Sequence, residues 1–200
     1  MTGVQTCALP ICDGRVADID GLDLGAGNIA LEGGRIALDA QLRSTSNQAV
    51  YVCGDAVAAT PPLSPVATYQ GRIVGRNIAE GATHTPDYAS IPSCVFTVPA
   101  LASVGLTQEA AERQGLQLRV EINDVHEWLS GRTYAETSAW AKVLVDRQSD
   151  LIRGAHILGH AGEELIHLFA LAMKHGITAS EIRDLVYGFP TFAADIRSLL

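Results

Sequence analysis

The hydrophobic pattern of the chain changes character between its first and second parts. In the first part, the apolar runs from Arg35 to Asp39 and from Val50 to Cys53 predict strands; the second run barely alternates, which is typical of a strand buried on both faces. A helix is predicted from Val66 to Ala79, with Pro65 suited to its first turn. The proline-rich polar stretch from His84 to Pro92 predicts a boundary between two domains.

Beyond this boundary, short strands alternate with helices. The runs "SCVFTVP", "SVGLT" and "LQLRVEI" predict strands, and "AWAKVLVD" and "LIRGAHIL" predict an antiparallel pair. Thr107 is the predicted cap of a helix from Gln108 to Arg113, and Thr178 caps another from Ala179 to Leu185. Phe192 to Leu200 predicts a last helical turn or two. The second part is therefore predicted to be an α+β layer, an antiparallel sheet backed by helices.

Two predicted helices carry an apolar stripe at helical spacing, which marks the face expected to be buried. The helix after Pro65 has the stripe Val66, Tyr69, Ile73 and Ile78. The longest predicted helix, Gly162 to His175, has the stripe Leu165, Leu168, Phe169, Ala172 and Met173.

Composition narrows the class of protein. The 200 residues are 48% hydrophobic and 18% charged, as in a folded globular chain. The net charge of −8 argues against binding to nucleic acid or to an anionic membrane surface, both of which need a basic face. Apolar runs such as Leu165 to Met173 are too short to span a membrane. Four cysteines without framework spacing favour a reducing, cytoplasmic setting.

The first twelve residues, "MTGVQTCALPIC", match the in-frame translation of a common sequencing-library adapter with a GTG start codon. We interpret Met1 to Cys12 as an artefact of sequence assembly and exclude it from the fold prediction. Cys7 and Cys12 frame four residues, a spacing that a redox dithiol can use, but within such a segment we interpret the pair as accidental.

Five stretches, in this order, resemble the carboxy-terminal part of the pyridine nucleotide–disulfide oxidoreductases, the family of glutathione reductase and dihydrolipoamide dehydrogenase. They are "VYVCGDAVA", "LSPVATYQGRIVGRNI", "IPSCVFTVPALASVGLTQEAA", "LIRGAHILGHAGEELIHLFALAMKHGIT" and "FPTFAADIRSLL". The resemblance runs from about Gly21 to Leu200. It implies that residues 13–84 are the end of an α/β FAD-binding domain and that residues 85–200 are a dimerisation domain.

The resemblance implies a flavin contact at Gly54 and Asp55. In the family, this aspartate bonds a ribityl hydroxyl of FAD, and a carboxylate can accept such a bond but would repel a phosphate. The remaining implied FAD-binding residues surround the start of the following helix: Leu63, Ser64, Pro65 and Ala67. The alternative for Asp55 is a turn or helix cap. Cys53, with apolar neighbours, is predicted to pack in the core.

The sequence departs from the family near its end. The family usually has His-Pro-Thr followed, after two further residues, by Glu, and the His–Glu pair acts as acid and base. Phe189 stands at the His position and Ala194 at the Glu position, so no catalytic residue is predicted here. Asp195 is one position beyond the Glu position. The alternative is that it has moved into the role of that Glu, but it is expected to satisfy or charge the first turn of a helix. Phe189 is either an apolar lid near the partner's flavin or a core residue, and the Phe189–Pro190 bond is predicted to be cis, as in the family.

This departure leaves hydride transfer possible but puts dithiol chemistry in doubt, because transfer between nicotinamide and flavin needs stacking and orientation rather than an acid–base pair. The pattern is similar to that of soluble transhydrogenases. The resemblance implies that the chain is part of a longer parent protein, an FAD- and NAD(P)H-dependent oxidoreductase. This parent is expected to be a homodimer through its C-terminal domain. The 200 residues alone are expected to be inactive, because no glycine-rich phosphate loop precedes Asp55.

Two further interpretations of the sequence stay open. The parent could be a disulfide or mercuric-type reductase that uses another base, or the chain could be a non-enzymatic dimerisation module. His156, His160 and His167 match no zinc spacing, so no metal site is predicted.

Overall fold

The computed structural model describes residues 16–58 and 60–200, and the chain divides into two compact units, Met1–Pro86 and Asp87–Leu200. The interpretation of Met1 to Cys12, including the Cys7 and Cys12 pair, lies outside the described residues.

The first unit contains a short hairpin and one long helix. Strands β1 (Leu31–Glu32) and β2 (Arg35–Ile36) pair in antiparallel fashion. Helix α1 (Ser64–Glu80) has a proline in its first turn and is followed by Gly81. The predicted strand from Arg35 to Asp39 is therefore shorter than expected.

The prediction of a buried strand from Val50 to Cys53 was wrong. Among the described residues, this run pairs only around one bridge, between Arg43 and Tyr51, and has no strand on its other side. Cys53 is consequently exposed rather than packed in the core. A three-residue 3₁₀ turn, Gly54–Ala56, follows it directly.

The buried face of α1 is half polar. Val66, Gln70, Ile73 and Asn77 are buried, whereas Ile78 is 66% exposed, which corrects the predicted stripe. Residues on the inward face of the helix recur every three or four positions from Val66. This spacing places Asn77, and not Ile78, on the inward face.

The Asn77 side chain pairs with backbone groups on both sides of the helix. Its amide donates to the carbonyl oxygens of Gln41 at 3.1 Å and His84 at 2.9 Å, and its oxygen accepts from the His84 N–H at 2.8 Å. These bonds satisfy three backbone groups, two of which belong to His84.

The second unit is a five-stranded antiparallel sheet in the order β3-β4-β7-β6-β5. The strands are β3 (Ser93–Val95), β4 (Leu101–Gly105), β5 (Leu118–Asp124), β6 (Trp140–Asp146) and β7 (Ile152–Leu158). The helices are α2 (Gln108–Arg113), α3 (Leu129–Thr133), α4 (Gly162–His175), α5 (Ala179–Asp184) and α6 (Phe192–Asp195), the last followed by a 3₁₀ turn, Ile196–Ser198. The α+β prediction is confirmed, and α3 was not foreseen.

The ends of several helices follow from their capping residues. Thr107 accepts a hydrogen bond from the Ala110 N–H at the start of α2. Thr178 and Glu181 form a capping box at the start of α5. Helix α4 has the predicted bounds and is followed by Gly176 in the left-handed conformation.

Helix α4 packs against the sheet and supplies the centre of the core. Ile166 and Phe169 are fully buried. Leu168, which the predicted stripe included, is 41% exposed, and Leu171 is 52% exposed. The stripe was wrong at Leu168 because Ile166 and Phe169, on one side of the helix, face the sheet.

Asp146 organises the turn between β6 and β7. Its carboxylate accepts from the Ser149 hydroxyl at 2.7 Å, the Arg153 guanidinium at 3.1 Å and the Gln148 N–H at 3.2 Å. These hydrogen bonds, led by that of Ser149 and followed by that of Arg153, hold the pKa of Asp146 below its usual value.

We expect Asn77→Ala to destabilise the first unit by about 3 kcal/mol, since three buried hydrogen bonds worth about 1 kcal/mol each are lost. Native-state hydrogen exchange of the α1 amides measures this directly. Thr68→Ala on the exposed side of the same helix is the matched control, and its effect should stay within about 0.5 kcal/mol. Equal protection in the two variants would contradict the role of Asn77.

A second prediction concerns acid stability. Because the pKa of Asp146 is lower in the folded state, its contribution is complete above the unfolded pKa of about 3.9 and is lost as pH falls through the folded value. Asp146→Asn should therefore be less stable at neutral pH and show a shallower loss of stability below about pH 4. Urea unfolding followed by tryptophan fluorescence reports on this unit, which contains both tryptophans, Trp128 and Trp140. Asp184→Asn, at an exposed carboxylate, should keep the wild-type pH dependence.

Candidate functional site

The implied flavin-binding residues of the first unit lie at the contact between the Gly54–Ala56 turn and the first turns of α1. Gly54 has a φ of 78°, which favours glycine, and a Cβ there would lie 3.6 Å from the Cβ of Ala67. The Gly54 N–H donates to the Gln70 side-chain oxygen at 2.7 Å. The structure thus brings the turn that carries Asp55 against the start of the helix.

Gln70 is the residue that sequence reasoning missed at this site. It is fully buried, and its amide nitrogen donates to the Thr60 hydroxyl at 3.4 Å. That hydroxyl donates in turn to the Val57 carbonyl at 3.2 Å. A polar residue on the inward face of an amphipathic helix was the available signal.

A cavity of about 570 Å³ adjoins the turn. Its lining is mixed in charge, with Asp55, Asp18 and Arg35, and is completed by Val16, Ala17, Ala56, Val57, Ala58, Thr60 and Pro62. The other predicted residues, Gly54, Leu63, Ser64, Pro65 and Ala67, lie outside that lining. No side chain caps the first turn of α1.

In the second unit, the segment at the departure from the family pattern is exposed. Phe189 is 78% exposed, so its interpretation as a core residue was wrong: no neighbouring element of the unit covers its ring. The Phe189–Pro190 bond is cis, as predicted, and Val98–Pro99 is cis as well. Ala194 uses only its backbone here, donating to the Thr191 hydroxyl at 3.2 Å as that residue caps α6.

A cleft of about 340 Å³ opens beside this segment, and we call it the Phe189 cleft. Its lining is largely apolar: Leu129, Ser130, Thr133, Tyr134, Phe189, Pro190, Thr191, Phe192 and Asp195. Asp195 accepts a hydrogen bond from the Ser130 hydroxyl, which joins α6 to α3. Its role is thus more than charging the first turn of a helix.

His160 adjoins the cleft through a cluster of three rings. Its imidazole is stacked on Tyr134, with centroids 4.2 Å apart, and lies 5.0 Å from the ring of Phe192. The Glu136 carboxylate is 3.8 Å from its Nδ1. Sequence reasoning had considered His160 only as a metal ligand, because the ring partners are distant in sequence.

The other two histidines have different surroundings. His156 is half-buried, and its Nε2 is 3.1 Å from the Leu106 carbonyl oxygen. Burial lowers the pKa of His156. His167 is exposed on α4. Over residues 16–58 and 60–200, no group of three or more His, Cys, Asp or Glu side chains could hold a metal ion.

Within the same described ranges, no helix has both the length and the apolar character needed to cross a membrane.

Comparison with known proteins identifies the family to which the chain is related. Residues 91–199 match the pyridine nucleotide-disulphide oxidoreductase dimerisation domain. The chain is 37% identical over 180 residues to an uncharacterized 19.7 kDa protein in a mercuric resistance operon of Staphylococcus aureus, covering 90% of this chain and 100% of that protein. It is 34% identical over 179 residues to mycothione reductase of Mycobacterium tuberculosis, covering 87% of this chain and 39% of that enzyme.

A solved structure shows the same architecture. The Cu(II) complex of a variant of the HOCl-induced flavoprotein disulfide reductase RclA from Escherichia coli matches with a TM-score of 0.84 and 25% identity, over 94% of this chain and 43% of that one. The chain therefore spans about two fifths of the enzymes it matches and the whole of the staphylococcal protein.

The domain match covers more than half of the 200 residues and agrees with the five-stranded antiparallel sheet and its helices, so the chain belongs to the pyridine nucleotide–disulfide oxidoreductase family.

Proposed function

We propose that this chain supplies a flavin-binding segment and the dimerisation domain of an FAD-dependent NAD(P)H oxidoreductase, which transfers hydride between nicotinamide and flavin. The observation that carries the proposal is the contact of the Gly54–Ala56 turn with the start of α1, fixed by the hydrogen bond from Gly54 to Gln70. The domain limits, residues 13–84 and 85–200, form part of the same proposal.

The donors and acceptors present at this contact fit an FAD. Asp55 offers a carboxylate to a ribityl hydroxyl, and Gly54 adds no side chain that would keep the polyol away. The first turn of helix α1 has no side-chain cap. The N-terminus of a helix carries about half a positive charge, which suits the electron-rich pyrimidine edge of the flavin. The position of this N-terminus would be set by Leu63, Ser64, Pro65 and Ala67. The bound flavin would supply the site that accepts hydride.

Phe189 and Ala194 favour hydride transfer over dithiol reduction. A phenyl ring and a methyl group cannot carry a proton, whereas hydride transfer needs stacked rings in a fixed orientation. The exposed ring of Phe189 is suited to cover an apolar surface of a partner. We propose that it lies near the flavin of the second subunit and that the 200 residues alone are inactive.

Dimerisation is proposed through α4 and the carboxy-terminal segment. Leu168 and Leu171 are exposed on α4, and Val186, just after α5, is 92% exposed. Apolar side chains of this size on adjacent elements are typical of a surface that is covered in the assembly.

One alternative is a disulfide or mercuric-type reductase that uses another base. It is favoured by the activities named for the relatives, mycothione reductase and flavoprotein disulfide reductase. A stand-alone dimerisation module is favoured by the staphylococcal protein, which this chain matches along its whole length.

The reading frame around codon 13 decides between these alternatives. Sequencing the source DNA from a library made without the adapter should show the frame continuing upstream into a glycine-rich loop. The full protein should then oxidise NADH or NADPH with a nicotinamide nucleotide as the acceptor. A Cys-x4-Cys pair upstream, with dithiol activity in the expressed enzyme, would instead establish disulfide reduction. A native frame that begins with Met1 to Cys12 would favour the dimerisation module.

We predict that the purified chain is a dimer in sedimentation equilibrium and that Leu171→Asp raises its dissociation constant at least about tenfold, which corresponds to about 1.4 kcal/mol. The buried carboxylate would lack a partner at the interface. Ile122→Asp is the matched control, because Ile122 is similarly exposed, at 58%, but lies on β5 at the other edge of the sheet.

A monomeric wild-type chain, or equal weakening by the two variants, would contradict the proposed interface.

A further inference from the structure

The Phe189 cleft has the size and the lining of a small-molecule site. Its volume of about 340 Å³ lies in the range of about 300–1,000 Å³ found for ligand pockets. Such pockets are mostly apolar with a few polar groups that orient the ligand. Here the apolar part includes three aromatic rings, those of Tyr134, Phe189 and Phe192, and the polar part includes one carboxylate, Asp195.

The charge of the lining has a single sign. None of the nine lining residues is Lys, Arg or His, so the Asp195 carboxylate is the one charged group of the wall. Arg132 lies on the same helix as Ser130 and Thr133, but it is exposed and does not line the cleft. An anionic ligand would be repelled by this carboxylate with no positive charge in the lining to compensate, whereas a cation would be attracted to it.

The carboxylate is held in place by its neighbours. Ser130 on α3 donates its hydroxyl to Asp195 Oδ2, and Asp195 is the last residue of α6. A carboxylate has about four acceptor positions, and the Ser130 bond uses one of them. The others can accept hydrogen bonds from an ammonium group.

The aromatic rings are oriented as well. Tyr134 is stacked on His160 at an interplanar angle of 19°, and its centroid lies 5.2 Å from that of Phe192. Tyr134 nevertheless remains 56% exposed, and Phe189 is 78% exposed. Ring faces are electron-rich and attract cations within about 6 Å of the centroid, so these rings and the carboxylate favour the same kind of ligand.

We propose that the Phe189 cleft binds an organic cation, an ammonium group attached to a compact apolar or aromatic body. The body fills the apolar part of the cleft, and the ammonium group lies against Asp195. This binding is a property of the second unit by itself. The further inference that the cation is a substrate, or part of one, rests on the proposed function. That function places the Phe189 segment beside the flavin of the partner subunit.

The test compares three probes of similar shape and different charge on the purified 200-residue chain. The probes are phenethylammonium, 2-phenylethanol and 3-phenylpropionate, and NMR titration of the ring signals of Tyr134 and Phe192 gives each dissociation constant. We expect the ammonium probe to bind roughly fivefold or more tightly than the alcohol. The carboxylate probe should produce no saturable shift.

Two variants locate the selectivity. Asp195→Asn keeps an acceptor for Ser130 but removes the charge, so the ratio of affinities for the ammonium probe and the alcohol should fall to about one. Asp184→Asn removes the same charge from an exposed position outside the lining and should leave the ratio unchanged. The comparison of probes on the wild-type chain needs no variant, so it remains decisive if Asp195→Asn fails to fold.

Equal affinities for the three probes would overturn the proposal, as would an unchanged ratio in Asp195→Asn or the absence of binding by any probe at millimolar concentration. Failure of the proposed function has a different signature. The proposed function fails if the chain is monomeric or if its longer reading frame lacks a flavin site. If the chain then still selects the ammonium probe, the ligand class proposed for the Phe189 cleft remains supported.

Discussion

The close approach of β4 and β7 is the constraint on which the second unit depends. Gly105 and Gly154 are paired in register, and a Cβ on Gly154 would lie 2.1 Å from the Leu106 carbonyl oxygen. Gly105 also has a φ of 77°, and a Cβ there would lie 2.5 Å from the Arg153 carbonyl oxygen. Only glycine fits at these two positions, because any side chain would overlap the carbonyl oxygens of the neighbouring strand where the chain leaves β4. Strand β7 can then form the centre of the sheet and lead directly into His160 and α4.

The exposed position of Phe189 follows from contacts that fix the segment around it. Thr191 caps α6, Ser130 bonds Asp195, and the ring of Phe192 lies against Tyr134 and His160. These contacts fix the residues that follow Phe189, while Phe189 itself stays exposed. A ring left in solvent by such a fixed backbone is positioned for a partner or a ligand. The cation proposal relies on these contacts.

The two candidate sites use polar groups in the same way. In the first unit, Gln70 is buried so that its amide can hold the backbone of Gly54, and in the second, Ser130 holds the Asp195 carboxylate. In each case a neutral side chain fixes the segment that carries the carboxylate. The carboxylates of Asp55 and Asp195 therefore line their cavities as acceptors. A ligand for either site is expected to offer a hydrogen-bond donor to the carboxylate.

Local signals in the sequence determined most elements of the second unit. The bounds of α2 and α4, the antiparallel pairing of β6 with β7 and the cis bond before Pro190 could all be predicted, because caps, periodicity and the family motif are properties of neighbouring residues. The motif also identified Asp55 and Phe189 as candidates.

Tertiary structure alone decided what surrounds each candidate residue. Cys53 is exposed, and Tyr134, His160 and Phe192 meet from three separate elements. Such contacts join residues far apart in the chain, and periodicity cannot register them because it records only the spacing of neighbours. The sequence by itself thus determined most elements of the second unit and the family, whereas the packing of distant segments made the cleft and placed its charge.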